Sequence, residues 1–192
     1  MEPILIDIPE EIVTDRLRIR APRPDDDAAE MNRATVESYA ELKPWMPWAK
    51  NVPTMEETAM YCRRSLARQV LRESVDFRLH LQDGRFAGTV GFPRLNWKVP
   101  SFEIGYWLRT SLAGRGLMTE AVRALTAFAF DKLSAQRVTI QMDERNRASR
   151  RVAEKAGFAL EGILRNDERD NDGGLRNTCI YALIAKPAGL RT

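Results

Sequence analysis

The 192-residue sequence is short of cysteine, histidine, long apolar runs and blocks of like charge, and each shortage removes a class of protein. Cys62 and Cys179 are its only cysteines. That is too few for a disulfide framework, and they lack metal-ligand spacing, so both read as reduced packing residues and no metal is expected. His80, the only histidine, lies mid-strand and reads as a packing or surface residue. No stretch approaches the ~20 apolar residues that cross a bilayer. The run Ile4 to Ile8 is broken by Asp7 and follows no basic cluster, so it does not suit the apolar region of a secretory signal. The expectation is a cytoplasmic chain with no membrane partner. Lys and Arg number 30 against 27 Asp and Glu, a net charge of +3 spread among acids. This mild bias suits an anionic cofactor or a partner near RNA, but it is no nucleic-acid footprint, and direct nucleic-acid binding is not expected.

With 44% apolar and 30% charged residues, the composition is that of a soluble globular chain, and 1–192 fits one domain. Arg16 to Arg20 alternates polar and apolar residues as a half-buried strand does. Pro22, Pro24 and Asp25 to Asp27 then end it and open a helix with carboxylates in the first turn. Leu42 to Pro53 holds three prolines with Trp45 and Trp48, an ordered loop between helices of the kind that lines pockets. The capping box Thr54-Met55-Glu56-Glu57 starts a helix to about Arg72. Val75 to Leu81 and Phe86 to Phe92 form a hairpin about Gln82 to Arg85, and Phe102 to Leu108 is a third strand. Leu117 to Leu133 is periodic as a helix, Arg137 to Met142 is a strand, and Asn146 to Ala156 is a helix ending at Gly157. Phe158 to Arg165 and Leu175 to Ile184 close the chain as a hairpin around Asp170 to Gly174. The fold class is α/β with a mixed sheet, antiparallel early, and helices on both faces.

The chemical signal begins at Gly114-Arg115-Gly116, between strand and helix. Glycines there let the backbone approach a ligand, and the unpaired N–H groups of the new helix suit a phosphate. The residues fail as a P-loop, which needs Lys-Ser or Lys-Thr after the glycines. They fail as a dinucleotide fingerprint because Thr119 stands where a third Gly belongs. G-x-G alone is equally the mark of a tight connection. A second segment strengthens the reading: in Asn146 to Phe158, Ser149 shares a helical face with Val152, Ala153 and Ala156, so its hydroxyl lies on the inward side and needs a partner. The acidic run Asp167 to Asp172 fails as a calcium loop, since Cys179 occupies the twelfth place where a bidentate Glu is required, and it reads as a hairpin turn.

Taken together, E-I-G-Y-W-L before the glycine turn, N-x-x-S-x-R-V-x-E-K-x-G-F after it, T-D-R-L-x-I-R near the start and the W-M-P-W loop resemble the GNAT N-acetyltransferases. The likeness is to the RimJ/RimL-like branch of ribosomal-protein alanine and serine acetyltransferases, and it runs from about Val13 to Lys186. It implies a largely antiparallel sheet of about seven strands, splayed between its fourth and fifth, with acetyl-CoA in the gap. By this resemblance Trp107, Leu108 and Arg109 end the strand that bonds the pantetheine, Gly114, Arg115, Gly116, Leu117, Met118 and Thr119 bind the pyrophosphate, and Asn146 meets the pantetheine arm. Ala113 and Met118 depart from the superfamily pattern, the first replacing an Arg or Gln; main-chain contacts tolerate both.

Acetyl transfer to an amine requires removal of a proton from the ammonium, stabilisation of the thioester oxygen, and protonation of the departing thiolate. The resemblance assigns the last to Ser149 and offers Glu168 as base, with Glu103 as the alternative and a water relay or simple positioning as a third course. Trp45 and Trp48 are the candidate acceptor-site residues. The acceptor is expected to be a protein N-terminal α-amine, in particular a ribosomal one, with a small amine, amino acid or antibiotic as the other reading. A non-catalytic CoA-binding module is a third possibility. Arg63, Arg64 and Arg68 read as a solvated helix face or as partners for the 3′-phosphate of CoA. The chain is expected to be a monomer or homodimer.

Overall fold

The computed structural model describes residues 2–185; Met1 and residues 186–192 of the expected 1–192 unit, including Lys186 at the end of the resemblance, lie outside the described residues. The chain runs β1 (Glu11–Val13), β2 (Leu17–Arg20), α1 (Pro24–Glu37), α2 (Tyr39–Leu42), α3 (Met55–Val70), β3 (Val75–Leu81), β4 (Phe86–Asn96) and β5 (Ser101–Leu108). It continues with α4 (Leu117–Lys132), β6 (Arg137–Asp143), α5 (Arg147–Lys155), β7 (Ala159–Arg169) and β8 (Leu175–Ile184). The strands form one eight-stranded sheet in the order β1-β2-β3-β4-β5-β6-β8-β7. Every pairing is antiparallel except β5 with β6.

The sheet thus has one strand more than the seven expected. The addition is β1, three residues long and paired to β2 at Glu11↔Arg20, too short for alternation to announce it. Two further strands are longer than their apolar runs. β4 continues past Phe92 through a register shift between Gly91 and Arg94, and β7 continues past Arg165 through a shift between Leu164 and Glu168. In both cases polar residues follow the bulge, so the hydrophobic pattern stops before the pairing does.

Local chemistry accounts for the helix starts. Thr54 caps α3 in a full capping box, its hydroxyl accepting from Glu57 N–H while the Glu57 carboxylate accepts from Thr54 N–H. Pro24 opens α1, with Asp25, Asp26 and Asp27 in its first turn, where the positive helix end favours them. Asp27 is buried and paired with Arg20 and Arg78, which ties α1 to β2 and β3.

Helices cover the two faces of the sheet. On one, Phe77, Phe92, Phe102 and Ile104 pack with Ala121, Val122 and Leu125 of α4 and Ala153 of α5 in the larger core. On the other, Phe86 and Trp107 pack with Met31 and Ala34 of α1 and Cys62 of α3. Both cysteines are buried and free, as their apolar settings predict. His80 packs edge to face on Phe86, with ring centroids 5.6 Å apart. Burial holds its imidazole below the usual range.

The parallel junction decides where a ligand can enter. β5 and β6 pair from Ser101↔Arg137 to Ile104↔Ile140 and then separate. Gly105 to Leu108 remain paired to β4 on one side but face no strand on the other. The expected splay is present, between the fifth and sixth strands of this sheet.

Candidate functional site

Below the splay the chain passes from β5 into the glycine turn. Gly114 and Gly116 both have φ of 77°, a left-handed conformation that costs an L-residue about 1–2 kcal/mol. Gly116 is the N-cap of α4 and makes no side-chain cap. The first helical bond runs from Glu120 N–H to Gly116 O, so the N–H groups of Leu117, Met118 and Thr119 have no partner within the helix. Unpartnered N–H groups at a helix start that follows the open end of β5 along the chain suit a pyrophosphate. The side chains of Leu117, Met118 and Thr119 are buried, so methionine at 118 packs into the core and does not stand over the main-chain N–H groups.

The turn is held from behind by residues whose role was not legible in the sequence. The Glu120 carboxylate accepts from Arg16 N–H at 2.9 Å, Arg16 Nε at 2.6 Å and Thr14 Oγ1 at 2.6 Å, while Arg16 Nη1 donates to Arg115 O at 2.8 Å. Burial raises the Glu120 pKa, but the bonds from Thr14 and Arg16 outweigh it and hold the carboxyl below its ordinary value. The only advance signs were the T-D-R-L segment and an acid in the first turn of α4.

Ser149 lies in the first turn of α5, where its N–H donates to Asn146 Oδ1 at 3.0 Å. Asn146 is therefore the helix cap, and that oxygen is committed to the cap. The Ser149 hydroxyl meets Tyr106 Oη at 2.8 Å across the splay, the partner its inward placement called for. Burial pushes the Tyr106 pKa up to about 12 against the opposing bond from Ser149, so the phenol stays protonated at working pH. Tyr106 stood within E-I-G-Y-W-L, but only the long-range approach of β5 and α5 gives its hydroxyl a partner.

On the opposite face of the sheet is a cavity of about 1080 Å³ roofed by α1, α3 and the loop after α2. Trp48, Tyr61, Trp107 and Met31 line it, together with the main chain of Gly105 and Tyr106 at the start of the splay. Trp48 leans on Trp107 with ring centroids 6.2 Å apart. Trp45 does not line this cavity. The loop that carries both tryptophans is latched to the β7–β8 turn, where Asn171 Nδ2 donates to Lys43 O at 2.7 Å and Met46 O at 2.9 Å.

The two candidate bases are placed differently. Glu103 lines the cavity two residues before Gly105 and accepts from Arg94 Nη1 at 3.0 Å. Glu168 is in β7, not a loop; it pairs with Arg176 and lies outside the cavity lining. A further carboxylate absent from the sequence reading, Asp76, also lines the cavity, its Oδ2 fixed by Ser65 Oγ at 2.9 Å and Ser74 Oγ at 3.0 Å. Arg109 turns away from the splay: its guanidinium binds Glu37 at the end of α1, and that bond holds the Glu37 pKa at about 2. The acidic turn is built as a hairpin, with Asp170 accepting from the N–H groups of Asp172 and Gly174.

Residues 16–159 match the model of the acetyltransferase (GNAT) domain. The chain belongs to the GNAT acetyltransferase family. The acetyltransferase is 29% identical over 178 residues to YdaF of Bacillus subtilis (strain 168), provisionally named a ribosomal N-acetyltransferase, covering 91% of this chain and 93% of that one. It is 28% identical over 133 residues to the ribosomal-protein-serine acetyltransferase of Escherichia coli (strain K12), covering 68% of this chain and 74% of that one. Among solved structures, RimL, a ribosomal L7/L12 α-N-protein acetyltransferase in complex with coenzyme A, superposes with a TM-score of 0.84 at 24% identity, over 90% of this chain and 96% of that one. At that identity the superposition speaks for the fold. Among the described residues of the acetyltransferase, no helix is long and apolar enough to cross a membrane.

Proposed function

We propose that the acetyltransferase takes its acetyl group from acetyl-CoA and passes it directly to the α-amine of a protein N-terminus, with a ribosomal protein as the first acceptor to test and the cytoplasm as its place of action. The observation that carries the reading is the junction of three features at the splay. The unpaired edge of β5 and the free N–H groups before α4 suit a pantetheine and a pyrophosphate. The Tyr106–Ser149 hydroxyl pair stands on one side and a large aromatic cavity opens on the other. Relatives with ribosomal-protein names cover most of the chain, which supports the protein acceptor.

Each residue then has a task. Main-chain groups of Gly105 to Leu108 hold the pantetheine in extended form, since they have no strand to bond. The N–H groups of Leu117 to Thr119 meet the pyrophosphate, and Asn146 sets the start of α5 so that Ser149 faces the splay. Ser149 gives a proton to the departing sulfur, with Tyr106 donating to Ser149 Oγ in turn. Glu103 receives the proton of the acceptor ammonium, because it alone of the two expected bases lines the cavity beside Gly105. Holding amine and thioester together supplies much of the rate, as effective molarities of about 10⁵ M and above attest.

The test is an acceptor screen. Calorimetry should show CoA binding at micromolar concentration, and acetyl-CoA turnover should be supported by ribosomal-protein N-terminal peptides over polyamines, amino acids and aminoglycosides. No CoA binding would remove the cofactor assignment; turnover confined to a small amine would move the acceptor assignment and leave the rest.

A further inference from the structure

The charged residues of the cavity are not matched to one another. Lys50, Arg64, Arg68 and Arg94 line it with Glu57, Asp76 and Glu103. Each carboxylate is engaged: Glu57 by its capping box, Asp76 by two serine hydroxyls, Glu103 by Arg94. Arg94 is engaged in the same way. Arg64 and Arg68, one turn apart on α3, make no side-chain hydrogen bond or ion pair among the described residues, and neither does Lys50. The contrast with Arg63 is direct: it points outward and bonds Asp25 at 3.1 Å, whereas the next residue turns to the cavity and bonds nothing.

Behind α3, Ser65 Oγ donates to the Asp76 carboxylate at 2.9 Å and accepts from a further guanidinium, Arg78 Nη2, at 3.2 Å. Arg78 is fully buried with its guanidinium 5.6 Å from the ring of Tyr61, a residue that lines the cavity. Its one carboxylate, Asp27 at 3.6 Å, is shared with Arg20, and Arg78 Nε and Nη1 have no hydrogen-bond partner. Two guanidiniums at i and i+4 repel. An exposed pair that lines a cavity with no carboxylate bonded to it is complementary to an anion, and the planar guanidinium fork fits a carboxylate best. The cavity therefore has an ion pair, Glu103 with Arg94, near the splay and two guanidiniums without a bonded carboxylate along α3.

Resting on the reading that this cavity receives the acceptor, we propose that Arg64 and Arg68 form an anion subsite selecting acceptors with a carboxylate near the reacting amine. In a protein acceptor this is an Asp or Glu within the first few residues. The subsite faces the acceptor and not the 3′-phosphate of CoA, because both arginines lie on the α1–α3 face while the glycine turn leads into α4 on the other.

The experiment compares N-terminal peptides that differ only by Glu against Gln at each of positions two to five, with wild-type enzyme, with R64Q/R68Q, and with the charge-retaining R64K/R68K. A preference of about tenfold or more in kcat/KM for one Glu peptide is expected in the wild type, carried by KM and weakened by added salt, as for any hydrogen bond between charged groups. R64Q/R68Q should lose the preference, R64K/R68K should keep part of it, and calorimetric CoA affinity should be unchanged in both. A wild-type enzyme indifferent to the carboxylate, a preference undiminished in R64Q/R68Q, or a loss of CoA affinity would overturn the proposal. If no peptide is acetylated while CoA binds, the protein-acceptor reading has failed separately. The same comparison is then made between amino acids and their carboxamides, where a carboxylate preference lost in R64Q/R68Q supports the subsite and indifference overturns it.

Discussion

Replacing Tyr106 by Phe tests the proton-donating pair most directly. The substitution removes one oxygen and keeps the ring, and the lost contacts are a 2.8 Å bond with Ser149 Oγ and a longer one, 3.3 Å, to Ser149 O. The phenol, with its pKa near 12, is a donor at every working pH, so the change removes a donor and no charge. A neutral hydrogen bond is worth about 0.5–1.5 kcal/mol net. If that bond persists or strengthens while Ser149 gives up its proton, the loss appears in the barrier, and at 1.36 kcal/mol per tenfold kcat should fall about two- to twelvefold. CoA release followed with a thiol-trapping dye at saturating acetyl-CoA measures kcat, and calorimetry with CoA should show an unchanged Kd. Ser149→Ala should lower kcat further, and Tyr106→Phe added to it should cost almost nothing more, because the two residues act in series. Additive losses in the double variant, or an unchanged kcat with only a lowered melting temperature, would refute the relay and leave the pair as a packing contact.

Three other outcomes are expected. Glu103→Gln should lower kcat/KM by about a hundredfold, the range of a lost general base, while Glu168→Gln stays near wild type; the reverse order in steady-state kinetics would return the base to β7. Gly116→Ala should destabilise the protein by about 1–2 kcal/mol in urea unfolding through its left-handed backbone alone, since an added Cβ would sit 3.6 Å from Arg16 Nη2 in ordinary contact, and CoA affinity should fall with it. Glu37, whose pKa is lowered to about 2 chiefly by Arg109, adds stability that is full above the usual carboxylate range and lost as pH falls from about 4.5 toward 2. Acid titrations of wild type and Glu37→Gln should therefore differ at neutral pH and converge near pH 2.

Local chemistry determined a good deal of this protein from the sequence alone. The capping box at Thr54, the Pro24 helix start and the apolar periods of α4 and β3 are short-range effects, and each element formed where its residues dictate. The glycine turn was legible for the same reason: a left-handed backbone before a helix depends on residues adjacent in the chain. Elements driven by pairing were not. β1 and the distal halves of β4 and β7 exist because a neighbouring strand supplies hydrogen bonds, which no run of side chains announces. The site divides along the same line. Ser149 faced inward by helical spacing, but its partner Tyr106 is 43 residues away and meets it only across the splay. The resemblance put Glu168 ahead of Glu103; tertiary structure set Glu103 in the cavity lining beside Arg94 and paired Glu168 with Arg176 outside it. Arg63, Arg64 and Arg68 read as a solvated face or as partners of the CoA 3′-phosphate; all three are exposed, and the fold sets Arg64 and Arg68 at the cavity. Backbone conformation is set within a few residues, but a side chain's partner, and so its charge and use, depends on which strand or helix the fold brings opposite.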